Sequence, residues 1–246
     1  GMGGQVNTNS TLGSSNFDGT IQSIVKVNAT AGFSIVTHAG TGQPRTIGHG
    51  LGVAPKVIIM KGRNVTDQWT VGHNESATSN PWQNGIALNS NGGLDNNSAF
   101  FYDAAPTSTV FTRGNWDSGY NMVNYCFSEV AGYSKFGSYT GNGSADGTFV
   151  FTGFRPAFVL IKSSSNTENW YIIDNKRPEY NGALGSSGIM KWLKPNESSA
   201  ENQNGLFNFL SNGFKLGYPG ADTNGSGRTY IYLAFAESPF KNSRAR

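Results

Sequence analysis

The chain has 246 residues and a formal net charge of +3, with 13% charged residues, 13% aromatics and 33 glycines. Charged residues make up about 25% of an average globular protein, so a coiled coil, a helical bundle and a charged linker are excluded. The aromatics exclude a disordered chain. The few charges are scattered and give no basis for nucleic-acid binding.

In chain order, Gly1-Met2-Gly3 reads as the scar of a cleaved tag, because a Gly precedes the Met. No apolar signal segment follows it. Residues Gln5 to Gly19 are rich in Asn, Ser, Thr and Gly and are expected to be extended and poorly ordered alone. Ile21 to Val27, carrying Ile21, Ile24, Val25 and Val27, is expected to add an edge strand.

From Phe33 the sequence repeats. Residues Phe33–His73 align with Ser134–Asp174 at a constant offset of 101 without a gap. Gly40, Gly42, Gly52, Pro55, Lys61, Thr66 and Trp69 meet Gly141, Gly143, Gly153, Pro156, Lys162, Thr167 and Trp170. The run Val57–Met60 meets Phe158–Ile161, and Asp67 meets Glu168. Further on, Phe111–Gly114 resembles Phe214–Gly217, and Tyr125–Glu129 resembles Leu233–Glu237. The expected organisation is an N-terminal arm over 1–32 and two tandem repeats over 33–133 and 134–246.

Each repeat reads as strands. Phe33–His38 is rich in β-branched residues and runs into the turn Gly40-Thr41-Gly42. Pro55 opens a strand, and Lys56–Lys61 is a continuous apolar run such as a buried strand shows. Asn64–Thr66 is a turn, Gln68–Val71 the next strand. Ile86–Leu88, Ala99–Tyr102, Thr109–Thr112 and Met122–Glu129 follow. Ser186–Leu193 is helix or strand. Many short strands between Gly, Asn, Asp and Ser clusters predict an all-β fold of two β-sandwiches, jelly-roll or lectin-like. The longest apolar run, Tyr230–Ala236, is seven residues, against about 20 for a membrane-spanning helix. The chain is expected to be soluble, with no membrane partner. Lys241–Arg246 is expected to be a solvated, mildly basic tail.

Catalytic patterns are weak. His38, His49 and His73 face Tyr139, Val150 and Asp174 at the repeat offset, so a site built from them would exist in one copy only. No zinc spacing, P-loop or nucleophile elbow occurs. The single cysteine, Cys126, lies in the apolar stretch Met122–Phe127 and reads as a small buried hydrophobe. Glu129 and Glu237 recur, as do Lys61 and Lys162, and are expected to form structural ion pairs rather than the carboxylate pair of a glycosidase. Asp95-Asn96-Asn97 and Asp222-Thr223-Asn224 are loose calcium candidates. No metal or cofactor is expected.

The aromatics carry the best ligand signal. Trp69 and Trp170 are repeat equivalents and expected in the core. Trp82 and Trp116 sit in loops, where function concentrates on β-scaffolds. An exposed aromatic beside amides and acids suits a sugar, which stacks on the ring and hydrogen-bonds the polar groups. Trp116 with Asn115, Asp117 and Tyr120, and secondarily Trp82, is the candidate ligand-binding set.

Three segments carry a resemblance. They are Thr30–Thr37 with Thr46–Lys56, the run Tyr133-Ser134-Lys135-Phe136-Gly137-Ser138-Tyr139-Thr140-Gly141-Asn142-Gly143, and Tyr230–Lys241. Together they resemble a domain of tail-fibre-like, virion-surface proteins of marine bacteriophages, cyanophages in particular, from about Phe17 to the end. The resemblance implies a virion-surface location, contacts with other virion proteins and a homo-oligomer such as a trimer; the loop aromatics and amides make bacterial surface glycan the expected partner. It brings no catalytic residues. The expected function is a non-enzymatic, receptor-binding module. A purely structural virion module and a polysaccharide depolymerase are the alternatives.

Overall fold

A computed structural model describes residues 6–9, 13–177 and 185–238. The chain divides into two compact units, one of 1–87 with 95–129 and one of 88–94 with 130–246. Both are all-β, with two one-turn 3-10 helices at Ala29–Ala31 and Pro81–Gln83 and no α-helix among the described residues.

Among the described residues the first unit holds eleven strands. These are β1 (Val6–Asn9), β2 (Gly13–Asn16), β3 (Ser23–Asn28), β4 (Phe33–Ala39), β5 (Arg45–Gly48) and β6 (Val57–Gly62). β7 (Thr70–His73), β8 (Asn84–Ala87), β9 (Asp95–Asn96), β10 (Val110–Arg113) and β11 (Asn121–Phe127) complete it. Nine of them form one sheet in the order β1-β2-β3-β4-β11-β6-β7-β8-β9, and β10 pairs with β5 in a two-stranded ribbon. Val36, Ile58, Met60, Met122 and Cys126 of the sheet meet Ile47 and Phe111 of the ribbon in one apolar core. Each such fully buried side chain contributes about 1.5–3 kcal/mol, which is why the alternating pattern of β4 decides which face turns inward.

The second unit holds β12 (Ser134–Thr140), β13 (Phe149–Phe151), β14 (Pro156–Ser163), β15 (Tyr171–Asp174) and β16 (Gly185–Leu193). It continues with β17 (Asn202–Gly205), β18 (Phe207–Leu210), β19 (Gly213–Leu216) and β20 (Thr229–Ala236). The sheet order is β12-β20-β14-β15-β16-β17, with a smaller sheet β13-β19-β18. Val159, Ile161, Ile173 and Tyr232 meet Val150, Phe207, Phe209 and Phe214 between the two. The orders β4-β11-β6-β7-β8 and β12-β20-β14-β15-β16 are the same topology twice, so the fold is two β-sandwich repeats.

The pairings locate the repeat register. Phe33 opposes Phe127 while Ser134 opposes Phe235, and Val57 opposes Phe127 while Phe158 opposes Phe235. The constant offset therefore holds on β4, β6 and β7. It does not hold on β5. Phe111 opposes Ile47, but Phe214 opposes Val150, so Ile47 corresponds to Val150 and not to Thr148. The loop after Gly143 is two residues longer than that after Gly42, and the next is two shorter, so the ends realign. The matched glycines have a steric cause: a Cβ on Gly40 would lie 1.9 Å from the Asp117 carbonyl oxygen, and one on Gly141 2.4 Å from that of Gly225.

Three local expectations change. Ala99–Tyr102 is a turn, not a strand. Asn97 Oδ1 accepts from the Ala99 amide and the Ser98 carbonyl from the Tyr102 amide, and Tyr102 and Asp103 turn left-handed at φ 52° and 55°. Residues Gly13–Asn16 of the arm pair with β3, and β3 lies inside the sheet between β2 and β4 rather than at its edge. Of the two matched tryptophans, Trp170 is fully buried, whereas Trp69 is half-buried and stacks on Tyr125 at 6.3 Å. Ser186–Leu193 lies within strand β16. Gly1-Met2-Gly3, where a tag scar is expected, and Lys241–Arg246, where a solvated tail is expected, lie outside the described residues.

Candidate functional site

The loop Gly114–Tyr120 joins β10 to β11 in the first unit. Gly114 lets it start flat against the chain, since a Cβ there would lie 2.1 Å from the Ala99 carbonyl oxygen. Its return is fixed by backbone bonds from Tyr120 N to the Asp117 carbonyl (3.0 Å) and from Gly40 N to the Tyr120 carbonyl (2.7 Å). Between these anchors the Trp116 ring is half-buried. Phe100 meets it edge-on at 5.8 Å and Tyr120 at 5.7 Å, while the Arg113 guanidinium lies 5.0 Å from its centroid. Such aromatic and cation–π contacts fix the ring's orientation and add about 0.5–1.5 kcal/mol each.

Beneath the loop lies a buried charge cluster. Arg113 is 1% exposed; its Nη1 donates to the carbonyls of Phe100 (2.7 Å) and Ala99 (3.3 Å). Its Nε stands 3.6 Å from Asp117 Oδ2, close enough for attraction but too long for a hydrogen bond. Burial lowers the Arg113 pKa to about 10, although Asp117 and Asp67 oppose the shift. Asp117 is 2% exposed and its Oδ1 accepts from the Gly42 amide at 3.2 Å, tying the β4–β5 turn to this loop. His38 joins the cluster from β4 and meets Phe111 edge-on at 6.5 Å; burial holds its pKa below the ordinary histidine value.

The candidate ligand set is therefore divided. Asn115 is exposed, Trp116 and Tyr120 are half-buried, and the three share one loop. Asp117 belongs to the same loop but turns inward to Arg113 and Gly42. Trp82 is 1% exposed, donates from Nε1 to Asn74 Oδ1 at 3.3 Å and packs edge-on against Phe101. It presents no ring face to solvent, because its loop folds back onto the sandwich. The sequence reading missed Arg113 and set His38 aside with the other histidines. Their signal was in the repeat: Arg113 aligns with Leu216 and His38 with Tyr139, both at buried strand positions.

Nor do the other candidates converge. His49 Nε2 donates to the Thr107 carbonyl and its Nδ1 accepts from the Leu51 amide; His73 Nδ1 accepts from the Glu75 amide. Among the described residues no three His, Cys, Asp or Glu side chains gather as metal ligands would. Asn97, in the first calcium candidate, caps its own turn. Asn224, in the second, is fully buried and bonds Asn142 and Ser144. The expected lysine–glutamate pairing is replaced. Lys61 Nζ donates to the carbonyls of Gly62 (2.7 Å) and Val65 (3.0 Å), and Lys162 Nζ to those of Ser163 (2.7 Å) and Asn166 (3.3 Å). Each lysine closes its own turn after the strand, while Glu237 pairs with Arg155 at 3.0 Å. Burial lowers the Lys162 pKa to about 8. Cys126 is fully buried and its thiol is pushed up to about 12, which keeps it protonated and unreactive.

The chain belongs to a family defined by a domain of unknown function (DUF7483), whose family model matches residues 7–239. No curated protein and no solved structure matches the chain.

Proposed function

We propose that this chain is a non-enzymatic receptor-binding module of a virion surface, recognising bacterial surface glycan through the Gly114–Tyr120 loop. The virion setting comes from the resemblance to tail-fibre-like phage proteins. The binding site rests on one observation: Trp116 is held by Phe100, Tyr120 and Arg113 with its ring half-exposed, beside the exposed amide of Asn115. A ring fixed before binding loses little entropy when a sugar stacks on it, and Asn115 supplies the directional donor and acceptor. Tyr120 extends the apolar patch. Asp117 acts indirectly, by anchoring the loop.

Fluorescently labelled protein is incubated with a panel of marine bacterial cells, with and without periodate treatment of their glycans. Strain-selective binding, lost after periodate, is expected. Asn115→Ala is expected to weaken it several-fold, about the worth of one hydrogen bond, and Trp116→Ala by ~10-fold or more. No binding to any strain by the folded protein overturns the reading. A purely structural virion module would then stand, favoured by the burial of Asp117 and Trp82.

A further inference from the structure

The small sheets of the two units differ at one edge. In the first unit, Ile47 of β5 hydrogen-bonds toward β10, so the backbone groups of Thr46 and Gly48 point the other way. The arm meets them there. Thr20 N donates to the Thr46 carbonyl (3.0 Å), Thr46 N donates to Thr20 Oγ1 (3.0 Å), and Ser23 Oγ donates to the Gly48 carbonyl (2.9 Å).

In the second unit the corresponding residues are Phe149 and Phe151 of β13. Thr152 N donates to the Asn212 carbonyl and Leu216 N to the Thr148 carbonyl, so the even-numbered residues face β19. The backbone groups of Phe149 and Phe151 therefore point off the sheet, and among the described residues nothing bonds to them. Their side chains are 45% and 64% exposed. Natural edge strands are blunted by Lys, Pro or a covering segment; this one carries two phenylalanines and, among the described residues, no cover.

We propose that the β13 edge is a self-association surface on which a second copy adds its own β13 antiparallel, about a two-fold axis at Val150. The register is self-complementary. With Val150 on the axis, Phe149 opposes the partner subunit's Phe151, and Phe151 opposes the partner subunit's Phe149. Both pairs fall on residues whose N–H and C=O point outward, so each exchanges two hydrogen bonds. The rings become cross-strand neighbours on one face, a favourable kind of sheet pair. A register one residue away would oppose outward groups to inward ones. The two three-residue strands bury far less than the ~1,200 Å² of a stable interface. The dimer is accordingly weak, with a Kd on the order of 0.1–1 mM, and suits copies displayed side by side at millimolar effective concentration.

The test is sedimentation velocity of the full chain across a concentration series to ~1 mM, with the Phe149→Lys, Phe151→Lys double variant alongside. The expected result is a concentration-dependent dimer whose Kd rises at least ~10-fold in the variant. Should the variant misfold, hydrogen exchange on the unaltered protein reads the same edge. The amides of Phe149 and Phe151 are expected to slow with concentration while those of β5 do not change. A monomer throughout the range overturns the proposal, as does a dimer that the variant and the exchange rates do not touch. Protection of these amides by an added peptide of sequence Phe17–Val27, without self-association, also overturns it and assigns the edge to an arm-like strand.

Discussion

The two units share a topology but solve the same interior problem with different chemistry. At one end of the first sandwich, His38, Arg113, Asp117 and Met122 occupy positions where the second places Tyr139, Leu216, Asn224 and Tyr230. The first cluster is charged. The second is neutral and fully hydrogen-bonded: Tyr139 Oη donates to the Thr223 carbonyl (2.6 Å), Tyr230 Oη to that of Ala221 (2.5 Å), and the Gly225 amide donates to Tyr230 (2.8 Å). Tyr139 and Tyr230 also stack at 5.1 Å. Both clusters do the same mechanical work, since Asp117 takes the Gly42 amide and Asn224 those of Asn142 and Gly143. A buried charge is a costly way to tie two loops when an amide suffices. The charged version also carries Trp116 on its guanidinium. The first unit thus gives up stability beneath the loop that holds Trp116.

The comparison is broken most directly at Asp117. Asp117→Ala leaves Arg113 buried without its ion-pair partner and is expected to destabilise the first unit by about 3–5 kcal/mol. Arg113→Leu with Asp117→Asn installs the second unit's residues and is expected to recover most of that loss. Chemical denaturation followed by tryptophan fluorescence checks both. A double variant as unstable as the single one would show that the two interiors are not interchangeable.

A change of one atom probes the neutral side. Tyr230→Phe removes a hydroxyl that both donates and accepts and is expected to cost the second unit about 1–3 kcal/mol, leaving the first transition in place.

Acidity should sharpen the contrast. All three histidines lie in the first unit, and burial lowers the pKa values of His38 and His49. Below the unfolded value of about 6.5 the unfolded chain binds protons that the folded one refuses. The stabilisation is complete above that pH and is lost as pH falls toward the lowered folded values. Lys162 has the same sign in a different window: its folded pKa of about 8 lies below the ordinary lysine value, so the second unit gains stability as pH rises from about 8 toward 10.5. Calorimetry at pH 5, 7 and 9 is expected to show the first unit's transition falling in acid and the second's rising in base.

The smallest effect is a signature. Cys126 is the only cysteine and sits in the first unit's core. Thiol labelling is expected to be negligible in the native state and to follow unfolding of the first unit alone, whatever the second does.

The repeat was legible because it is written in residues that backbone geometry dictates: Gly40 and Gly141 where loops touch, and Lys61 and Lys162 closing identical turns. The slip on β5 was not, because compensating loop changes restore the register before Pro55 and Pro156. Nor was the turn at Ala99–Tyr102, where Phe100 and Phe101 are buried as a strand's residues would be but local hydrogen bonds set the backbone. Composition placed Trp82 and Trp116 alike in polar loops; only packing separated the one that folds inward from the one that stays partly open.

In each repeat the last strand is threaded between that repeat's first and third, as β4-β11-β6 and β12-β20-β14. A ribosome therefore releases most of a repeat before the strand that joins its two halves exists. Until then β4 and β6 can only wait with their inner edges bare. Contacts of such long sequence separation make folding slow, and two similar repeats in tandem offer each waiting gap the wrong closing strand as well as the right one. The divergence of the two interiors, His38 and Arg113 against Tyr139 and Leu216, is what makes that exchange a poor fit.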